Sequence, residues 1–205
     1  MANYQDYYKE VEEFECDLGI KVGFLESLVK EDDWTFVIKL HALLEIVVTD
    51  LLVHAIGKLE IDKEIASLDM SVKLDFGKSL KFVAKEERRF IKELSKLRNF
   101  LVHDAKNTSF CFENYVGRMD QNQKKAFCES IGYSFDTYIG PEGRKTEKFQ
   151  FIGDNPKISI WLNSMFAIAV LYQYREYSRV KNSIQNMALK GIMEKANKRL
   201  ESPDS

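Results

Sequence analysis

Apolar positions along this chain recur mainly at helical spacing. The clearest stripe is Phe90, Leu94, Leu97 and Leu101, at i, i+4, i+7 and i+11, which predicts an amphipathic helix over residues 85–103. Residues 34–56 are largely apolar throughout and predict a buried central helix, with Asp33 as N-cap and Gly57 just past its end. A first helical segment spans about residues 4–30, broken near Gly19 to Gly23. Ser71 is placed to cap a helix over about 72–83, with Leu74, Leu80 and Val83 as apolar positions. Phe127, Ile131 and Phe135 predict a further helix over about 120–138. Residues 140–156 are rich in glycine and polar side chains and predict a long loop, with a short hairpin around 148–152. Helices return at about 157–177 and 180–200, followed by a polar tail. Strand signals are too few for a sheet. The expectation is all-α: an antiparallel helical bundle in one domain over 1–205, with its core at about 34–103 plus the C-terminal helices 157–200 and a long loop or insertion at 104–156.

Composition narrows the functional classes. The 30 basic and 32 acidic residues give a net charge of -2, so the chain is not a basic-arm binder of polyanions, and any RNA contact has to be local. The 45% hydrophobic content suits a globular protein with a core. Cys16, Cys111 and Cys128 are odd in number and fit no metal spacing. The polar, acidic start is not that of a signal peptide, and a cytoplasmic protein with free thiols is expected. The 34–56 segment has about the length of a membrane span. It contains Lys39, His41, Glu45, Asp50 and His54, however, and charges near the centre of a span cost about 2.5–3.5 kcal/mol each, so no membrane association is expected.

The chemistry concentrates at Arg98-Asn99-Phe100-Leu101-Val102-His103. At about 100° per residue and with Leu94 at the centre of the core face, Arg98 lies about 40° off on the flank, Asn99 about 140° away and His103 about 180° away. His103 therefore points away from the intrachain core. A histidine with an ordinary pKa near 6.5 suits proton transfer, and an arginine fork suits phosphate oxygens. Asn99 and His103 share a face, which places the amide to orient the imidazole. A single chain supplies one such set, and two-fold pairing through this face brings two together. The plainer alternative stays open: His103 as a cation in the last helical turn, favoured there by the helix dipole, with Arg98 as a flank residue whose stem packs.

At LSKLRNFLVH the chain resembles the HEPN family, marked by an Arg, a polar residue and a His at this spacing late in a bundle helix. The preceding order of elements is similar, with HALLEIVVTDLL followed by LDMSVKLDFGKSL and then the motif helix, so the resemblance covers about residues 34–103. It implies a metal-independent endoribonuclease working as a homodimer. In such a protein His103 serves as the acid-base group, Arg98 as the phosphate contact and Asn99 as support. Cleavage uses the RNA 2′-hydroxyl and leaves a 2′,3′-cyclic phosphate. It further implies a toxin–antitoxin or phage-defence setting with a protein antitoxin as partner. Many members paired with a nucleotidyltransferase carry Tyr two residues after the His. Ala105 stands there in this chain, so that form of control is not expected. LDMSVKLDFGKSL also resembles the mannitol-repressor-like branch, which implies a non-catalytic regulator or protein-binding module.

Other candidates are weaker. His41, Glu45 and Thr49 form a polar line on the 34–56 helix. That line either faces the motif helix and supports the site or forms a satisfied interhelical bond, the commoner outcome. A metal shared by His41, Glu45 and His103 lacks any further ligand pattern, so no metal and no cofactor is expected. His54 is expected at the surface. Arg144, Lys145 and Lys148 form a small basic patch, and Tyr172, Tyr174 and Tyr177 lie beside Arg175 and Arg179. Both groups read first as solvated or packed surface.

Overall fold

The computed structural model describes residues 4–135 and 145–201, and every regular element among them is helical. In chain order they are α1 (Tyr4–Asp17), α2 (Phe24–Ser27), α3 (Asp33–Ile56), α4 (Asp62–Ala66), α5 (Met70–Ser79), α6 (Lys85–Val102), α7 (Phe112–Gly117), α8 (Gln121–Ile131), α9 (Lys145–Asp154) and α10 (Pro156–Glu201). The protein is an all-α helical bundle. Among the described residues no helix is long and apolar enough to cross a membrane.

The centre is α3. Phe36, Leu40, Val48, Leu52 and Val53 are buried and spread over most of the helix circumference, which requires neighbours on several sides. Each such side chain contributes about 1.5–3 kcal/mol by leaving water. The helix starts one residue earlier than expected. Asp32, not Asp33, is the cap, and its carboxylate accepts the Thr35 N–H at 2.9 Å. Asp33 serves distant partners instead: it accepts the Phe112 N–H at 2.9 Å and pairs with Lys157 at 3.3 Å. Gly57 ends α3 at φ 75°, as expected.

Two long helices flank α3. The stripe of α6 packs inward as predicted, with Phe90, Leu94, Leu97 and Leu101 all buried. His41 of α3 meets Ser95 of α6, while Asp33 at the start of α3 reaches Phe112 just beyond α6, so α6 runs antiparallel to α3. The other flank, α10, runs parallel to α3: Lys157 lies at Asp33, Arg175 at Asp50 (2.9 Å) and Asn182 at the His54 carbonyl (2.6 Å). The long connection through α4 to α9 makes that direction available.

Several local expectations are corrected. The two helices expected at 157–177 and 180–200 are one, because Tyr177 to Val180 contain no Gly or Pro and Ser178 bonds the Tyr174 carbonyl within the helix at 2.8 Å. The hairpin expected at 148–152 is part of α9, whose buried Ile152 packs onto Gly132. The loop expected over 140–156 is therefore helical from residue 145, and its earlier part lies outside the described residues. Ser71 is not a cap: it lies inside α5, which has Asp69 at its N-cap position. That helix stops at Ser79 because the chain turns back at Lys81 (φ 61°), leaving Leu80 exposed while Leu74 and Val83 are buried. The described parts of the 104–156 stretch pack as α7, α8 and α9 on α6 and α10. The fully buried Asn163 of α10 secures it, accepting from the Ser134 N–H at 2.9 Å and its hydroxyl at 2.6 Å.

Candidate active site and the adjoining groove

The motif occupies the last turn of α6. Val102 is the final helical residue and His103 the C-cap, its N–H bonded to the Asn99 carbonyl at 3.2 Å. His103 and Asn99 are exposed and Arg98 is half-buried, as the helical projection predicts. Phe100 and Val102 are also exposed, at 47% and 41%, so apolar surface flanks His103. One detail differs from expectation. The Asn99 amide does not hold the imidazole; its Oδ1 accepts from Arg98 Nη1 at 3.1 Å. Asn99 thus orients the guanidinium, and the His103 ring makes no hydrogen bond among the described residues.

The polar line of α3 supplies the second layer. His41 is buried, with Nε2 3.1 Å from Ser95 Oγ on the motif helix. Ser95 donates its own proton to the Ile91 carbonyl at 2.8 Å, so its oxygen accepts from His41. Neutral His41 therefore carries its proton on Nε2, with Nδ1 turned towards Glu45 Oε2 at 4.0 Å. Burial holds His41 below its ordinary pKa; Glu45 pulls the other way, and Arg98 and Lys73 oppose a proton. Glu45 also accepts from the buried Lys73 ammonium at 2.9 Å, and Thr49 bonds the Glu45 carbonyl at 2.7 Å. The interhelical bond is thus satisfied, and its reach to the motif is electrostatic, through Arg98. Ser95 precedes His103 by eight residues, about 12 Å along the helix, so His41 and His103 do not converge. Among the described residues no three His, Cys, Asp or Glu side chains group as metal ligands would.

The remaining candidates are dispersed. His54 is half-buried rather than at the surface: its ring pairs with Asp50 (3.3 Å), and its carbonyl accepts from Asn182 of α10 at 2.6 Å. Of the expected basic patch, Arg144 and the side chain of Lys145 lie outside the described residues. Tyr172 is buried against Phe14, while Tyr174 and Tyr177 are exposed. Cys128 is buried, Cys111 half-buried and Cys16 exposed, all three as free thiols.

Sequence reasoning missed a large concavity, a groove of about 1170 Å³ between α6 and the 106–130 segment. One wall carries Lys85, Arg88, Arg89, Lys92 and Lys96, and the other carries Lys106 and Arg118. Phe100 joins this groove to the motif. The signal was present in the polar face of α6. Lys85, Lys92 and Lys96 fall within about 20° of His103 around the helix, at about 27, 17 and 10 Å along it. Compared with family models, curated proteins and solved structures, the chain matches none of them.

Proposed function

We propose that this chain is a metal-independent endoribonuclease of HEPN type acting as a homodimer in the cytoplasm. The carrying observation is the exposed end of α6, where Arg98, fixed by Asn99, lies about one and a half turns before an unengaged His103 at the foot of a lysine row. In this mechanism one His103 takes the proton of an RNA 2′-hydroxyl, whose oxygen attacks the adjacent phosphorus. Arg98 stabilises the charge on the phosphoryl oxygens. The partner subunit's His103 returns a proton to the departing 5′-oxygen, leaving a 2′,3′-cyclic phosphate and a 5′-hydroxyl. A single chain holds half of this set, and the exposed Val102 offers apolar surface for pairing. Such activity suits a toxin restrained by a protein antitoxin, or phage defence.

The expected result is cleavage of RNA in EDTA, with 2′,3′-cyclic ends. His103→Ala lowers the rate by about 10²–10⁴-fold, and Arg98→Ala also impairs it. Intact RNA after incubation with dimeric protein would falsify the proposal.

A second reading, a mannitol-repressor-like regulator without turnover, draws on a different observation. The distal part of α10 exposes Ile184, Met187, Leu189, Ile192 and Met193, all between 58% and 65%. Apolar surface of this kind fits a protein partner. Stoichiometric co-purification of a partner, with no cleavage, would favour it.

A further inference from the structure

The groove beside the motif has two unlike chemistries facing each other. Seven cationic side chains line it against one acid, Glu93, in a chain whose net charge is -2. The positive charge is therefore sorted into this groove, where it is available to a polyanion. Lys85, Lys106 and Arg118 make no ion pair among the described residues and are exposed. The pairs that do exist are surface ones: Lys96 with Glu93 at 3.0 Å inside the groove, and the looser Lys92 with Asp75 at 3.9 Å and Arg89 with Glu129 at 3.8 Å. Such pairs contribute little to folding and exchange readily for phosphate.

The second chemistry is aromatic. Phe100 of α6 packs at 5.7 Å from Tyr115, which lies 5.5 Å from Phe110, all three lining the groove. Phe100 is 47% exposed and the other two are half-buried, so the cluster presents ring surface to whatever lies in the groove. From Lys85 to Phe100 the α6 wall runs about 22 Å.

We propose that this groove binds single-stranded RNA, with phosphates along the α6 cations and unstacked bases against Phe100, Tyr115 and Phe110, and leads the strand to His103. A duplex would engage the cations but keep its base faces inside the stack, leaving the aromatic wall unused. An acidic peptide would likewise satisfy the charges and not the rings. The inference rests on the ribonuclease proposal for its choice of RNA and for the direction in which the strand leaves, and it gives that site a substrate class.

The test separates the two. Binding is followed by fluorescence anisotropy with a short 2′-O-methylated single strand, which cannot be cut through its 2′-oxygen. The unsubstituted chain is compared with Lys106→Glu/Arg118→Glu and with Phe100→Ala, all three positions being exposed. Circular dichroism checks that each variant is folded. The charge reversal lowers affinity at least tenfold and flattens the dependence of log K on log salt by about 0.7 for each phosphate no longer neutralised. Phe100→Ala lowers affinity roughly five- to hundredfold with the salt slope unchanged. Unaltered binding by folded variants, equal affinity for duplex RNA, or displacement by polyglutamate of matched charge would each overturn the groove. Cleavage of unmodified RNA is read in parallel. A chain that cuts RNA while ignoring both substitutions loses the groove and keeps the nuclease. A chain that binds through the groove but never cuts keeps the groove and loses the nuclease.

Discussion

His41 and His54 lie on one helix and titrate in opposite senses. His41 is buried neutral, its proton on Nε2 committed to Ser95. Burial depresses its pKa, with Lys73 and Arg98 adding to the effect and Glu45 opposing it. Below an ordinary value of about 6.5 the unfolded chain takes up a proton that the folded chain refuses, so the contribution of His41 to stability is lost as pH falls through that range. His54 is raised, chiefly by its hydrogen bond to Asp50. Its contribution is present below about 6.5 and is lost as pH rises through the folded pKa. The prediction is that His41→Gln shows a smaller drop in urea midpoint between about pH 7.5 and 5.5 than the unsubstituted chain. An equal drop in both proteins rules out this account. His41 was legible in the sequence as one of a buried polar line, because its i, i+4 spacing is a local property. Its partner was not, since Ser95 lies 54 residues away and only packing brings the two together.

Among the elements, the stripe of α6 was read correctly from its periodicity, whereas the helix expected over 120–138 from Phe127, Ile131 and Phe135 stops at Ile131, with Gly132 as its C-cap. The stripe of α6 predicted its buried face because that face had to be covered, and the apolar run of α3 predicted a helix covered on several sides. In α9, Gly153 and mixed polarity resemble a loop, yet Ile152 docks on α8 and the segment is helical. The approach is close: a Cβ on Gly132 would stand 2.2 Å from Ile152 Cδ1 and 2.9 Å from the Cys128 carbonyl. Gly132→Ala is therefore expected to destabilise the fold by about 1–3 kcal/mol through overpacking, read as a lowered melting temperature. Gly132→Ala combined with Ile152→Val, which removes the offending methyl, recovers part of the stability. A melting temperature unchanged by the single substitution contradicts the close approach.

For the whole molecule, the sequence conveyed total charge but not its placement. A value of -2 argued against a polyanion binder, whereas folding gathers seven cations along one groove. Their partners on the far wall come from 106–130, which composition alone did not tie to α6. The dimer proposed for catalysis makes a further prediction at this scale. Val102→Glu, an exposed change beside His103, shifts the sedimenting species from dimer to monomer and removes cleavage, while stability stays within about 0.5 kcal/mol. Cleavage by a monomeric Val102→Glu chain defeats the two-chain mechanism.

The opposed directions of the long helices have a consequence for how many partners the molecule can hold at once. The motif ends α6 where α3 and α10 begin, near Asp33, while α10 continues past Asn182, at the other end of α3, for about 28 Å. The bundle is therefore bipolar. One pole carries the groove exit and His103, and the other carries an arm whose apolar residues have nothing to cover them among the described residues. In the dimer proposed above, pairing at the first pole leaves the arm at the opposite end of each chain outside the shared site. On the two proposals together, a protein that grips the arm does not compete with RNA at the groove, and the proposed dimer offers two such handles.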